Sequence, residues 1–346
     1  MSNARSALVG LGFLATLLAQ PALAADPAKT PWGTPLPLGL DPNIPVPSDN
    51  PMSPDKIELG KLLFFDTRLS ADGTIACATC HIPAKGWTDN RATSAGIRGQ
   101  VGDRSAPTVV NSAYVAPQFW DGRAASLEEQ AKGPQTNPIE MGNPDHESVA
   151  RRIGGFAGYR ELFEKTFGSA GVTPDRIAQA IAAYERTILS GNSPYDRFVA
   201  AADKGALSAE QQKGLALFNG KARCVVCHAG PNLTDNRFHN IGVGTQKPEV
   251  DAGRMKVTKD AKDWAAFKTP TVRNIARTAP YMHDGSEPTL AAVVEYYNRG
   301  GTPNKNLDPL MQPLGLSAEE KQALVAFLTA VDGEILNAEA PTSFPR

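Results

Sequence analysis

Cys77-Ala-Thr-Cys80-His81 and Cys224-Val-Val-Cys227-His228 use every cysteine in the chain, and each pair is followed at once by histidine. Four cysteines ordinarily suggest two disulfides or a tetrahedral zinc site. Neither needs a histidine at that place, whereas covalent haem does. In C-x-x-C-H the two thiols add to the haem vinyl groups, and the spacing lets the next imidazole reach the iron from below. A thioredoxin-like dithiol would need a βαβ pattern around it, and none is visible. The expectation is two covalent haem c groups, attached through Cys77, Cys80, Cys224 and Cys227, with His81 and His228 as proximal iron ligands.

The motifs sit in similar surroundings. Leu59-Gly-Lys-Leu-Leu-Phe64 precedes the first and Lys213-Gly-Leu-Ala-Leu-Phe218 the second; Thr88-Asp-Asn90 follows one and Thr234-Asp-Asn236 the other. This predicts a two-fold duplication of a cytochrome c unit, each opened by a capped helix. Ser53-Pro54 supplies an N-cap and a proline at the first helical position, and Ser208-x-x-Gln211 a capping box. Thr173-Pro174 starts a helix with Ile177, Ala180, Ile181, Tyr184 and Ile188 at helical spacing, and Ser317-x-x-Glu320 opens the last. Strand signals are weak. The predicted fold is mainly α: two cytochrome c-like haem domains with long loops and little strand.

The expected divisions are a signal peptide over 1–24, a Pro-rich extended arm over 25–53, a first haem domain over 54–205, a second over 206–335 and a tail over 336–346. The leader reading rests on Arg5, the apolar run Leu8 to Ala19 and the small-x-small site Ala22-Leu23-Ala24. It predicts export to the periplasm. That run is too short to span a bilayer, and no later segment is apolar enough to do so. Net charge is −1 over 346 residues, which gives no reason to expect nucleic acid or an acidic membrane as partner.

Further segments are more specific: Gly60-Lys-Leu-Leu-Phe-Phe-Asp66, Arg104-Ser-Ala-Pro-Thr108, Gln118-Phe-Trp-Asp-Gly-Arg123, Leu127-Glu-Glu-Gln-Ala131, Phe267-Lys-Thr-Pro-Thr271 and Ala279-Pro-Tyr-Met-His-Asp-Gly285. In this order the chain resembles the bacterial dihaem cytochrome c peroxidases and their relative MauG, over about Pro54 to Gly333. The resemblance implies a peroxide site at the first haem and electron transfer at the second. It implies catalytic roles for Gln118 and Glu128 in the distal pocket and for Trp120 between the haems. Splitting H–O–O–H needs a proton moved from the near oxygen to the far one, which a buried carboxyl of raised pKa can do. It also implies calcium on the carbonyls of Thr278 and Pro280, with Ser105 where the family has asparagine.

Two positions depart from ordinary peroxidases. The capping-histidine position falls on Ile97, which cannot ligate iron, so the first haem is expected to be open. The methionine that caps the second haem falls on Tyr297, as in MauG; the alternative is that Met282 or Met311 ligates and the tyrosines are core. His146 reads as solvated, and His239 and His283 as possible hydrogen-bond donors to haem carboxylates. Three functions follow. One is reduction of hydrogen peroxide with electrons from a small donor such as a cytochrome c or cupredoxin. Another is MauG-like oxidation of a protein substrate. The third is a dihaem electron carrier or redox sensor, against which an open first iron argues. Oligomeric state is left open.

Overall fold

The computed structural model describes residues 28–346. The expected leader and the first residues of the arm lie outside them. The described chain is mainly helical, with strands of two residues each. None of its helices is long and apolar enough to cross a membrane.

Each half is built on one crossing of two helices. In the first, α1 (Pro54–Phe65) crosses α3 (Pro174–Glu185). In the second, α4 (Ala209–Asn219) crosses α6 (Ala318–Ala330). Between them in chain order lie α2 (Leu127–Thr136) and, in the second half, α5 (Leu290–Asn298). The starts are set by side chains that satisfy orphan amides. Ser53, Ser126, Thr173 and Thr289 accept from the third helical residue's N–H, and Ser208/Gln211 and Ser317/Glu320 close reciprocal boxes. At each crossing a glycine lets the backbones meet. A Cβ on Gly60 would strike the Ala180 carbonyl, and one on Gly214 the Ala323 carbonyl. Tyr184 and Phe327, four residues further on, pack against the same two glycines.

Two apolar cores result. One joins Leu59, Leu63, Phe64, Trp87, Phe163, Ile181 and Tyr184; the other joins Leu217, Phe218, Leu290, Val294, Leu324 and Phe327. The arm differs from the expectation of an element outside the core. Leu36, Leu40 and Ile44 are buried in a third cluster with Ala113 and Leu189. Its prolines prevent regular structure but not burial. The carbonyls of Leu38 and Gly39 are met by Asn192 N–H and the Arg273 guanidinium, so these two groups are satisfied inside the fold.

The halves face each other across an approximate two-fold axis, visible in reciprocal hydrogen bonds. Ser105 N–H donates to the His283 carbonyl, and Lys268 N–H donates to the Trp120 carbonyl, both at 2.8 Å. Asn90 Nδ2 donates to the carbonyls of Arg277 and Ala279, while Asn236 Nδ2 donates to that of Tyr114. The loops that receive these bonds match as well. Ala116-Pro117 and Ala279-Pro280 are both cis, and each is followed by a bridge, Gln118 to Ala124 and Tyr281 to Glu287. Position 105 in one half therefore corresponds to 268 in the other, and 120 to 283. Ion pairs add to the contact: Arg104 binds Asp251, and buried Arg273 binds Asp196 through both nitrogens at 2.9 Å.

Candidate active site

The four thiols are unpaired. Burial pushes those of Cys77, Cys80 and Cys224 up, the latter two to about 11 and about 12, so they are protonated thiols and poor metal ligands as they stand. The histidine beside each pair is prepared differently. His81 Nδ1 lies 3.2 Å from the Trp87 carbonyl and His228 Nδ1 lies 3.1 Å from the Leu233 carbonyl. A carbonyl can only accept, so each Nδ1 carries the proton and each Nε2 keeps a free lone pair. Burial holds both rings below their ordinary value and hence neutral, the form that ligates iron. Trp87 and Leu233 both take left-handed φ, 63° and 51°, which turns each carbonyl toward its ring.

The second motif opens onto a cavity of about 310 Å³, the size of a bound-cofactor site. Cys224, Cys227 and His228 share it with one face of α5, namely Leu290, Val293, Val294 and Tyr297. Trp120, Gln118, Met282 and Met311 also line it. An apolar cavity with two thiols and a neutral imidazole fits a covalent haem. At the first motif the buried Trp87 indole N–H has no acceptor among the described residues, as suits the edge of a bound polar group. Tyr297 and Tyr296 have different surroundings. The Tyr296 hydroxyl donates to the Ile241 carbonyl and bonds Thr302, whereas no partner for the Tyr297 hydroxyl is found among the described residues. Burial, with the Cys224 and Cys227 thiols nearby, pushes the Tyr297 phenol up.

Glu128 and Gln118 both have hydrogen-bond partners within the chain. Glu128 lies at the start of α2 and takes both terminal nitrogens of Arg186, at 2.8 and 3.0 Å, plus Asn50 Nδ2 at 2.7 Å. Burial opposes its charge, but those hydrogen bonds and the guanidinium outweigh it and hold the carboxyl below its ordinary value. Gln118 spends its amide on the carbonyls of Val115 and Ser112, at 2.5 and 3.3 Å. Two further acids approach the first motif: Glu185, the last residue of α3, which is buried, pushed up by burial to about 8 and felt by Cys77, and Glu140, in the loop after α2. Its charge is felt by both Cys77 and Cys80. Burial raises its pKa against the opposing pull of Arg123 and an Asn137 hydrogen bond of 2.8 Å. Its carbonyl accepts from Ile97 N–H, so the non-ligating Ile97 and this acid share one corner.

Ser105 is buried, with its hydroxyl donating to the Met282 carbonyl and its own carbonyl accepting from the Trp120 indole at 2.9 Å. Thr278 and Pro280 line the cavity. His146 is partly buried, with Nε2 3.0 Å from the Lys132 carbonyl, not solvated as expected. His239 sits between Asp308 and Asp235, at 2.6 and 3.0 Å, so both ring nitrogens are occupied. The Cys227 sulfur and these two carboxylates push it up to about 10. His283 stacks on Phe267 at 3.6 Å, and burial pushes it down to about 4.

Residues 54–204 match the family model described as di-haem cytochrome c peroxidase. Cytochrome-c peroxidase IdrP1 of Denitromonas iodatirespirans is 39% identical over 96% of this chain and 94% of its own length. The chain belongs to the di-haem cytochrome c peroxidase family. It is an oxidoreductase of that family, and its paired motifs mark two haem c groups. The methylamine utilization protein MauG of Methylophilus methylotrophus is 41% identical over 91% of this chain and 94% of its own. Among solved structures, a MauG-like protein associated with microbial copper homeostasis superposes with a TM-score of 0.79 at 32% identity, over 90% of this chain and 96% of that one. Relatives of both names are thus about equally similar.

Proposed function

We propose that this is an exported peroxidase that reduces hydrogen peroxide at its first haem site, with electrons passed from a small redox protein through the second. The observation that carries this reading is at the first attachment motif: Ile97, which cannot block iron, shares a corner with the partly buried Glu140, whose pKa burial raises. When bound, haem supplies the electron-accepting and electron-storing iron that side chains lack, held by His81 and His228. The chain supplies the proton handling. Reduction of one peroxide consumes two electrons and two protons and yields two waters. Glu140 takes the proton from the near peroxide oxygen and returns it to the far one, so that the far oxygen leaves as water. Trp120, lining the cavity and anchored by its indole to Ser105, carries electrons between the sites. Glu128 with Arg186 holds α2 against α3 and takes no part in the transfer.

Steady-state turnover with peroxide and a reduced cytochrome or cupredoxin tests this. Glu140→Gln lowers turnover about a hundredfold or more with both haems retained. Glu128→Gln leaves turnover within a few-fold and lowers the melting temperature instead. The reverse pattern would return the acid role to Glu128.

A second reading, oxidation of a protein substrate, is favoured by the Tyr297 hydroxyl in the cavity of His228, for which no partner is found among the described residues. Tyr297 would hold the second haem's iron there through oxygen, a donor that would favour the oxidised state. For calcium, the residues present offer the carbonyls of Thr278 and Pro280 and a Ser105 hydroxyl already donating to Met282. These neutral oxygens, without a carboxylate, suit a weakly held Ca²⁺ completed by water.

A further inference from the structure

Lys268 is a buried amine with no ion pair among the described residues, and burial pushes it down to about 7. Its side chain is packed at the junction of the halves, with the residue 8% exposed. Nζ donates to the Pro117 carbonyl at 2.7 Å, and no ion pair or second acceptor for it is found among the described residues. An ammonium has three donors, so two are left over. Asp121 is the carboxylate close enough to be felt, but it is taken by Arg104 and Arg123. Taking an unpaired ammonium out of water is costly, and such a group persists where something supplies the counter-charge. Lys268 lines the cavity of Cys224, Cys227 and His228. The approximate two-fold sharpens the point. The corresponding residue of the first half is Ser105, in the same backbone register but neutral and fully used by Met282. The charge therefore belongs to one half alone.

We propose that Lys268 pairs with a carboxylate of the second haem and is a positioning residue for electron transfer, fixing that haem's edge beside Trp120. Of the other basic residues lining the cavity, His239 is held between Asp235 and Asp308, His283 is stacked on Phe267, and Arg223 is exposed, so that water meets its charge. The backbone of Lys268 completes the device, since its N–H donates to the Trp120 carbonyl. One residue then ties the haem carboxylate, through its side chain, to the inter-haem tryptophan, through its main chain. The inference rests on the second covalent haem and not on the identity of the peroxide acid.

The test is spectroelectrochemistry and resonance Raman of the holoprotein carrying Lys268→Met, Lys268→Gln or Lys268→Arg, with haem content measured in each. A buried positive charge favours the ferrous haem, so Lys268→Met lowers the second haem's midpoint potential and shifts its propionate bending mode, while the first haem's values hold. Lys268→Arg restores both. Lys268→Gln keeps a hydrogen bond to Pro117 without the charge and behaves like Lys268→Met; it serves alone if the methionine variant fails to load both haems. A glutamine variant like wild type would show a structural tether only, and a shift confined to the first haem would place the carboxylate elsewhere. Either overturns the proposal.

Discussion

Tyr297 and Tyr296 are neighbours of one residue type, and their hydrogen bonds separate them. Tyr296 is spent on Ile241 and Thr302, and Tyr297 shares the cavity of His228 with no such partner found. Tyr297→Met is expected to raise the second haem's potential and introduce a sulfur-to-iron charge-transfer band, with both haems retained. Wild-type protein that already shows the band would assign Met282 or Met311 as ligand. At this scale the sequence was legible where chemistry is local. Cys-x-x-Cys-His must hold its spacing because both thiols and the imidazole grip one group. A carboxyl's pKa is not local. Glu128 and Glu140 are the same residue type twelve positions apart, and only the placement of Arg186 beside the one and the desolvation of the other set their pKa values in opposite directions. The motif Leu127-Glu-Glu-Gln-Ala131 points to Glu128, but not to the Arg186 and Asn50 that the fold places against it.

Helix starts were legible for a related reason. A cap is a contact within four residues, and Ser53, Thr173, Ser208 and Ser317 all make the bonds their spacing predicts. The crossings they lead to were not. Nothing near Gly60 or Gly214 says that a carbonyl from a helix over a hundred residues away will rest there. Gly214→Ala forces the Ala323 carbonyl back and is expected to destabilise by about 1–3 kcal/mol, the usual penalty of overpacking. Thermal unfolding of the holoprotein checks it, and an unchanged melting temperature would mean that α4 and α6 can slide apart freely. The arm is another case. Proline-rich composition predicts extended backbone, and the backbone is irregular; burial of Leu36, Leu40 and Ile44 follows from Ala113 and Leu189, which local composition does not reveal.

The whole molecule was legible as a repeat but not as an interface. Matching motifs show that a unit occurs twice; they do not show that position 105 of one copy bonds 283 of the other while 268 bonds 120. Residues 200–205 between the halves are exposed. A protease site inserted there is expected to yield two fragments that still elute together from a sizing column and part only in denaturant. The Arg273–Asp196 pair, the Arg104–Asp251 pair and the crossed asparagines all span the cut. Fragments that separate in plain buffer would show that the tether, not the contact, joins them. Because the contact is reciprocal, it does not depend on which polypeptide supplies each side. With a tether too short to let one chain fold back on itself, the same surface would close between two chains, giving an exchanged dimer. An ancestral pair of single-haem proteins, before the duplicated gene was fused, would have met across this surface.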